Sequence, residues 1–321
     1  MTREQITFLT FGILLILALA FDLGLLSKKS SLVTIKKAIW QTAFWVTLAM
    51  LFFGFLWIET DHVVALKYLS AYLMEWSLSV DNIFVFILLF AFFRVKEKYY
   101  ARVLLIGILM AILCRIAFIS IGIGLVARFE WILYIFGAIL VYTGITMFRA
   151  DHGEETDLEN NRVYKLLKRF LPLTAEDGGG KWTIRKNGKK YYTSLFVVVI
   201  MLATTDIVFA LDSIPAVFAI SQKPMVVYTS NIFAVLGLRS LFFLLKGAAN
   251  KFAHLQQGIA IVLIFIGAKM LAEIFHVDIP VYISLLVIIT CITASIIYSV
   301  TLSNRNSKKS ASDTGTDRDM H

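Results

Sequence analysis

Long apolar runs, separated by short polar connections, make up most of this chain. Nine runs of 18 to 31 residues can be distinguished. A helix rises about 1.5 Å per residue, so about 20 apolar residues cross the ~30 Å hydrocarbon core of a bilayer. The pattern therefore predicts nine transmembrane helices. They cover Thr7–Leu26, Ala38–Ile58, Val63–Phe93, Val103–Val126, Trp131–Phe148, Thr193–Ile220, Val227–Leu245, Gly258–Phe275 and Pro280–Leu302.

Composition supports the same fold class. The chain has 321 residues, of which 59% are hydrophobic and only 17% are charged. A soluble domain has about 25% charged residues. The sequence predicts an all-α, polytopic membrane protein.

Lysine and arginine residues are distributed unevenly between the connections. If the N-terminus lies outside, 24 of the 31 fall on the inner side and 4 on the outer side. Positive charge is enriched in cytoplasmic loops. The distribution predicts an N-out/C-in orientation, and it explains the net charge of +9 without a nucleic-acid partner.

The runs and connections divide the chain into six predicted segments. The connection at 149–192 is predicted to be a cytoplasmic linker, with a regulatory or partner-binding role as the alternative. Its end, "KWTIRKNGKKYYT", predicts a β-hairpin in which Asn187-Gly188 forms the turn. The segments are 1–62 (two helices), 63–148 (three helices), 149–192 (the connection), 193–276 (three helices), 277–303 (the last helix) and 304–321 (a polar tail predicted to be disordered).

The two three-helix segments carry a repeat. The stretch "VDNIFVF" aligns with "LDSIPAVF", which matches Asp81 to Asp212 and Glu75 to Asp206. Further on, Arg115 falls opposite Arg239, and "YTGITM" opposite "FIGAKM". Because each unit has three helices, an odd number, the second unit enters the membrane from the opposite side. Inverted repeats of this kind are typical of secondary transporters, which bind their substrate between the halves.

The four repeat-related acids are expensive in lipid, since an ionised carboxylate at the bilayer centre costs about 2.5–3.5 kcal/mol. They could form buried ion pairs with Arg115 and Arg239, they could be protonated, or they could bind a cation. Four carboxylates and two arginines leave a charge of −2, while Lys269 and Glu273, four residues apart, can neutralise each other. A divalent cation would balance that charge.

The six-residue spacing of the acids, at 75 and 81 and at 206 and 212, predicts broken helices. Residues six apart lie 120° apart on a regular helix, so they would not share one narrow face. Pro215 cannot donate to the carbonyl of Leu211, and Ser77 and Ser79 offer side-chain hydrogen bonds that compete with the helix. Neither motif helix is expected to be continuous.

Candidate ligands in the two motifs are hard oxygen donors, which suit Mg²⁺, Ca²⁺ or Mn²⁺ better than copper or zinc. Met74 is either ordinary packing or a soft ligand that favours manganese. The candidate metal ligands are Glu75, Asp81, Asn82, Asp206, Asp212 and Ser213. Secondary candidates are Met74, Thr204, Thr205 and Asn231, and charge-balancing candidates are Arg115, Arg239 and Lys269.

The motifs "EWSLSVDNIFVF" and "TTDIVFALDSIPAVFAI", separated by a loop containing "RFLP" and "GKKYYTSLF", resemble the TerC family of bacterial integral membrane proteins. The resemblance covers roughly residues 35–300, and the length and tail resemble the Alx branch. It implies a role in metal-ion homeostasis, chiefly manganese efflux, with the acids of the motifs, Asn82 and Ser213 as the metal site. One departure is Ala203, where many members carry a glutamate.

These observations lead to one functional hypothesis and one alternative. The hypothesis is a multi-pass exporter of a divalent cation, Mn²⁺ above all, in the bacterial cytoplasmic membrane, with protons as the coupling ion and no prosthetic group. Arg115 and Arg239 would balance the empty site. The alternative is a membrane accessory protein that hands metal to exported enzymes or scaffolds a stress complex. An enzyme is not expected, since the G-x-G-D motif of intramembrane aspartyl proteases does not occur.

Overall fold

The computed structural model describes most of the chain. The described residues are 3–26, 33–129, 131–149, 165, 168–169, 171–174, 178–186, 188–246, 255–275, 277 and 279–316. Within them lie nine helices of 18 or more residues, each overlapping one predicted run. These are α1 (Arg3–Leu26), α2 (Ile35–Glu59), α3 (His62–Phe92), α4 (Tyr100–Arg128), α5 (Ile132–Arg149), α6 (Ser194–Ile220), α7 (Pro224–Lys246), α8 (Leu255–Ala272) and α9 (Val281–Thr316).

The all-α, polytopic prediction is confirmed. Six helical segments in the described part are long and apolar enough to cross a membrane on their own. Large apolar side chains cover the outside of the bundle, among them Leu113 at 68% exposure and Leu286 at 67%, and such a surface requires contact with lipid. A total of nine spans and the N-out/C-in orientation stay predictions.

The helices pack as two interlocked three-helix units, α3–α5 and α6–α8. The most extensive contacts join α5 to α8, α3 to α7 and α4 to α6. The repeat makes α3 equivalent to α6, α4 to α7 and α5 to α8. If each helix is replaced by its equivalent, the α3–α7 contact becomes the α6–α4 contact, and the α5–α8 contact stays the same. The packing therefore follows the symmetry that the sequence repeat predicts.

Glycines let α5 and α8 approach closely at two equivalent points. A Cβ on Gly267 would lie 2.7 Å from the backbone oxygen of Gly137, and one on Gly144 would lie 2.8 Å from that of Ala260. The repeat alignment matches Gly144 to Gly267 and Gly137 to Ala260. The two close approaches are therefore images of each other, which is independent support for the alignment.

The remaining helices lie around this pair of units. Helices α1 and α2 pack beside α3 and α7 through aromatic rings, with centroids 5.3 Å apart both for Phe11 and Phe233 and for Phe52 and Tyr68. Helix α9 packs against α8 and α3. The first two helices thus extend the buried core on one side without reaching the α5–α8 contact.

The predicted hairpin is confirmed. Strand β1 (Thr183–Lys186) pairs antiparallel with β2 (Lys189–Tyr192), and Thr183 lies opposite Tyr192. Gly188 has φ +76°, which fits the turn predicted for this position.

The hairpin region contacts the start of α4, and this contact shows at which end of the bundle α6 begins. Arg102 Nη1 donates to the Gly180 oxygen at 3.1 Å, and its guanidinium lies 4.8 Å from the centre of the Trp182 ring. Lys246, at the end of α7, forms an ion pair with Glu97 beside the start of α4. The start of α6 therefore lies at the end of the bundle where α3 finishes. The two helices run in opposite directions, as in an inverted repeat.

The prediction that the motif helices are broken is wrong. Helix α3 is continuous over 31 residues and α6 over 27, with Pro215 inside α6. Proline removes one backbone hydrogen bond, but every side chain from Ser213 to Phe218 is buried. A break would disturb all of that packing, so the single lost bond is tolerated.

The disorder predicted for residues 304–321 is wrong over 304–316, which continue α9 as helix. Extending a helix that has already formed costs far less than starting one, so a polar segment can follow a membrane helix in the same conformation. Residues 317–321 lie outside the described part.

The α5–α8 crossing can be tested with a single methyl group. Gly267→Ala is expected to lower stability by about 1–3 kcal/mol, since the added Cβ forces two backbones apart. The measurement is the apparent Tm of the purified protein in detergent. Gly54→Ala is the matched control, because a Cβ there meets nothing within 4 Å and alanine favours helix by up to about 1 kcal/mol. Equal Tm values for both variants would contradict the close approach.

Candidate cation site

Arg115 of α4 lies at the centre of the two units with 2% of its surface exposed. Its Nε donates to Asp206 Oδ2 at 2.7 Å, and its Nη2 donates to Asp206 Oδ1 at 3.0 Å. This is a bidentate arginine–carboxylate pair, the strongest common form of the interaction. The pair joins the second helix of the first unit to the first helix of the second.

The third nitrogen of Arg115 has more acceptors than protons. Nη1 donates toward Glu75 Oε1 on α3, Asn231 Oδ1 on α7 at 2.9 Å and Ser213 Oγ on α6 at 3.3 Å. It carries two hydrogens for these three acceptors. Glu75, Arg115, Asp206, Ser213 and Asn231 are called the Arg115 cluster below. The cluster connects four helices drawn from both units.

The Arg115 cluster carries a net charge of −1, from two carboxylates and one guanidinium. Glu75, Asp206, Ser213 and Asn231 are each at most 1% exposed. Glu75 Oε2 is buried and has no hydrogen-bond partner in the described part of the structure. An uncompensated charge in such a place is costly unless a further positive charge arrives. Either a proton or a metal cation can supply it.

Glu75 and Asp206 are the repeat-related pair, and one arginine serves both of them. The repeat alignment also matches Arg115 of α4 to Arg239 of α7. Only Arg115 is described between the two acids, while Arg239 is buried on α7 at 4% exposure. The symmetry of the fold brings the two acids together, and the central arginine makes their surroundings asymmetric.

Asp212 lies apart from this cluster. It is half-buried, and Thr143 of α5 donates to its Oδ1 at 3.1 Å. On a continuous α6, Asp206 and Asp212 point 120° apart, so the first faces α4 and the second faces α5. The assignment of Asp212 as a metal ligand stays a prediction.

Other predicted residues also have places in the structure. Thr204 and Thr205 donate to the backbone oxygens of Ile200 and Met201, each at 2.7 Å, which is ordinary hydroxyl bonding within a helix. Lys269 of α8 donates to Ser284 Oγ of α9 at 3.1 Å. The other candidates, Met74 and Asn82, are buried on α3.

The side chain of Asp81 lies outside the described part of the structure, as does that of Glu273. Among the side chains that are described, no three acids, histidines or cysteines converge. Of the predicted four-acid site, the structure therefore brings together Glu75 and Asp206, held by Arg115, while Asp212 lies apart.

Thr143 and Ser284 hold predicted site residues but were not predicted from sequence. Both are single hydroxyls in apolar helices, and most such hydroxyls bond to their own backbone. Asn231 was only a secondary candidate, although an amide in a transmembrane helix is a stronger signal than a hydroxyl, because both ends of an amide need partners.

Comparison with known proteins places the chain in one family. Residues 60–307 match the family described as "Integral membrane protein TerC family". A Myxococcus xanthus protein named "Uncharacterized membrane protein STKORF319" is 42% identical over 282 residues, 88% of each chain. An Escherichia coli K12 protein named "Putative membrane-bound redox modulator Alx" is 39% identical over 308 residues, 93% of this chain and 95% of that one. No solved structure matches the chain.

Removing the central arginine tests the electrostatics of the cluster. Arg115→Met leaves two buried carboxylates without a partner, and a loss of about 3–5 kcal/mol is expected. The triple variant Arg115→Met/Glu75→Gln/Asp206→Asn removes all three charges and is expected to recover most of that loss. Apparent Tm in detergent measures both changes. If the triple variant is no more stable than the single one, the carboxylates are not the reason that Arg115 is needed.

Proposed function

Because the chain belongs to the integral membrane protein TerC family, we propose that it exports a divalent metal cation, Mn²⁺ above all, across the bacterial cytoplasmic membrane. One observation carries this proposal. The Arg115 cluster is buried, has a net charge of −1 and leaves one carboxylate oxygen of Glu75 without a partner. A buried site of that kind attracts a cation.

The donor atoms of the cluster suit a hard divalent ion. Two carboxylates, an amide oxygen and a hydroxyl surround the guanidinium of Arg115. Oxygen donors of these types are preferred by Mg²⁺, Ca²⁺ and Mn²⁺. The family resemblance, rather than the donors, favours Mn²⁺ among the three.

Arg115 acts as a built-in counter-ion in this proposal. In the described arrangement its guanidinium occupies the acceptor oxygens that a metal would use. A divalent ion that binds Glu75 and Asp206 takes over the compensation of their charge, so Arg115 Nη1 can release Glu75 and Asn231. When the ion leaves, Arg115 or protons return to the carboxylates. Exchange of this kind couples metal export to proton uptake.

The two ends of the bundle differ in a way that suits alternating access. At one end, Arg102 and Lys246 connect the units through Gly180 and Glu97. At the other end, a cavity of about 420 Å³ opens beside the α6–α7 connection, with Lys67 and Lys223 in its wall. Opening of the first end requires the ion pair and the hairpin contact to break.

A second candidate function is metal binding without transport. The gap beside Asp206, lined by residues including Phe86, Gly107 and Leu202, is too narrow for a water molecule. A protein that stayed in this arrangement would hold an ion and pass it to another protein. Such a protein would match the alternative that the sequence leaves open, a membrane accessory protein. The name of the Escherichia coli relative, a redox modulator, belongs to that protein and specifies no ion.

Flux through the purified protein separates these functions. Reconstituted in vesicles, the wild type is expected to move Mn²⁺, and faster with a pH gradient. Glu75→Gln and Asp206→Asn are expected to reduce that flux at least about tenfold, as loss of a metal-site group does.

The control is Asp61→Asn. Asp61 is an exposed acid that caps α3 by accepting from the Val63 amide at 3.0 Å, and asparagine caps a helix equally well. Its flux should equal that of the wild type. Binding without flux in the wild type would favour the accessory role, and undiminished flux in both cluster variants would exclude the proposed site.

A further inference from the structure

Ser79 is a buried hydroxyl that lacks the backbone hydrogen bond made by several other hydroxyls in this fold. It is 0% exposed, and its Oγ has no hydrogen-bond partner among the residues that the structure describes. Several described helix hydroxyls in the bundle donate to a carbonyl three or four residues earlier, which is the usual arrangement. Those that do so include Ser70, Ser120, Thr204, Thr205, Thr229, Ser230 and Ser240. Ser79 does not make that bond, and no described residue provides another in its place.

The position of Ser79 places it next to another oxygen without a partner. It follows Glu75 by four residues on the continuous α3, so the two side chains lie on one face with Cβ atoms about 5–6 Å apart. Glu75 Oε2 is likewise buried, and no described residue forms a hydrogen bond with it. Ser79 and Glu75 therefore present two unsatisfied oxygens on the same face, one helical turn apart.

These two oxygens do not satisfy each other, since no hydrogen bond joins them. A hard cation about 2.0–2.6 Å from each ligand can bridge oxygens that stand too far apart for a hydrogen bond. The negative charge of the Arg115 cluster favours a cation there over a neutral molecule. Both unsatisfied atoms would then have a partner.

We propose that the Ser79 hydroxyl is a direct ligand of the transported divalent cation and binds it together with Glu75 Oε2. This inference rests on the proposed function. It adds a ligand that neither the charge pattern nor the family resemblance supplies. It also gives an order of events, because the ion can reach Oε2 and Ser79 while Arg115 still holds Oε1 of Glu75.

Ser77 provides a matched control. Its Oγ is also buried without a hydrogen bond, so lack of a partner alone does not distinguish the two serines. The distinction is direction: Ser77 follows Glu75 by two residues and lies about 160° away around the helix, whereas Ser79 lies about 40° away. The same substitution at both positions separates contact with the ion from mere burial.

The experiment replaces one oxygen with sulfur. In a Cys114→Ala/Cys291→Ala background, Ser79→Cys and Ser77→Cys are purified and their affinities for Mn²⁺ and Cd²⁺ are measured by equilibrium binding. Sulfur ligands favour soft Cd²⁺ over hard Mn²⁺. Ser79→Cys is expected to raise the Cd²⁺-to-Mn²⁺ affinity ratio at least about tenfold and to show a thiolate–Cd²⁺ absorption band. Ser77→Cys is expected to change neither.

Ser79→Ala supplies a second variant that keeps the fold, and it is expected to weaken Mn²⁺ binding about 10- to 100-fold. If the parent binds Mn²⁺, Ser79→Cys matches Ser77→Cys and Ser79→Ala binds Mn²⁺ as tightly as the parent, the Ser79 assignment is overturned while the proposed function stands. If the parent binds neither Mn²⁺ nor Cd²⁺, the proposed function fails and the Ser79 assignment fails with it.

Discussion

The bidentate pair between Arg115 and Asp206 is the interaction on which the centre of this protein depends. It lies where α3, α4, α6 and α7 meet, and the same guanidinium also binds Glu75. Each carboxylate would be prohibitively costly alone in the membrane, and together they exceed the charge of the arginine. The interaction that stabilises the buried acids therefore leaves the cluster with one negative charge, which a proton or a metal cation can neutralise.

The inverted repeat explains why this interaction forms at all. Glu75 and Asp206 are equivalent residues of two units that run in opposite directions, so they meet near the axis that relates the units. The glycine contacts of α5 with α8 bring the third helices together around the same axis. Close packing of small residues between α5 and α8 and a charged cluster among α3, α4, α6 and α7 are thus two consequences of one symmetry.

Much of this could be predicted from the sequence, and the failures have physical causes. The length and polarity of the apolar runs predict the helices, because few other backbone structures are stable in lipid. The charged residues within those runs, which are costly in lipid, reveal the repeat. The six-residue spacing of the acids requires a helix break only if all the acids share one site. Asp212 shows why that fails: it bonds to Thr143 on a different helix, so α6 needs no break. Individual hydroxyl partners such as Thr143 and Ser284 could not be predicted, since their directions depend on packing between helices.

The central claim is that Glu75 and Asp206 together bind a divalent cation in exchange for Arg115. Electron paramagnetic resonance of Mn²⁺ titrated into the purified protein measures this most directly, since free and bound Mn²⁺ differ in signal. One saturable Mn²⁺ per chain is expected in the wild type and none in the folded Glu75→Gln/Asp206→Asn double variant. The same saturable stoichiometry in the double variant would contradict it.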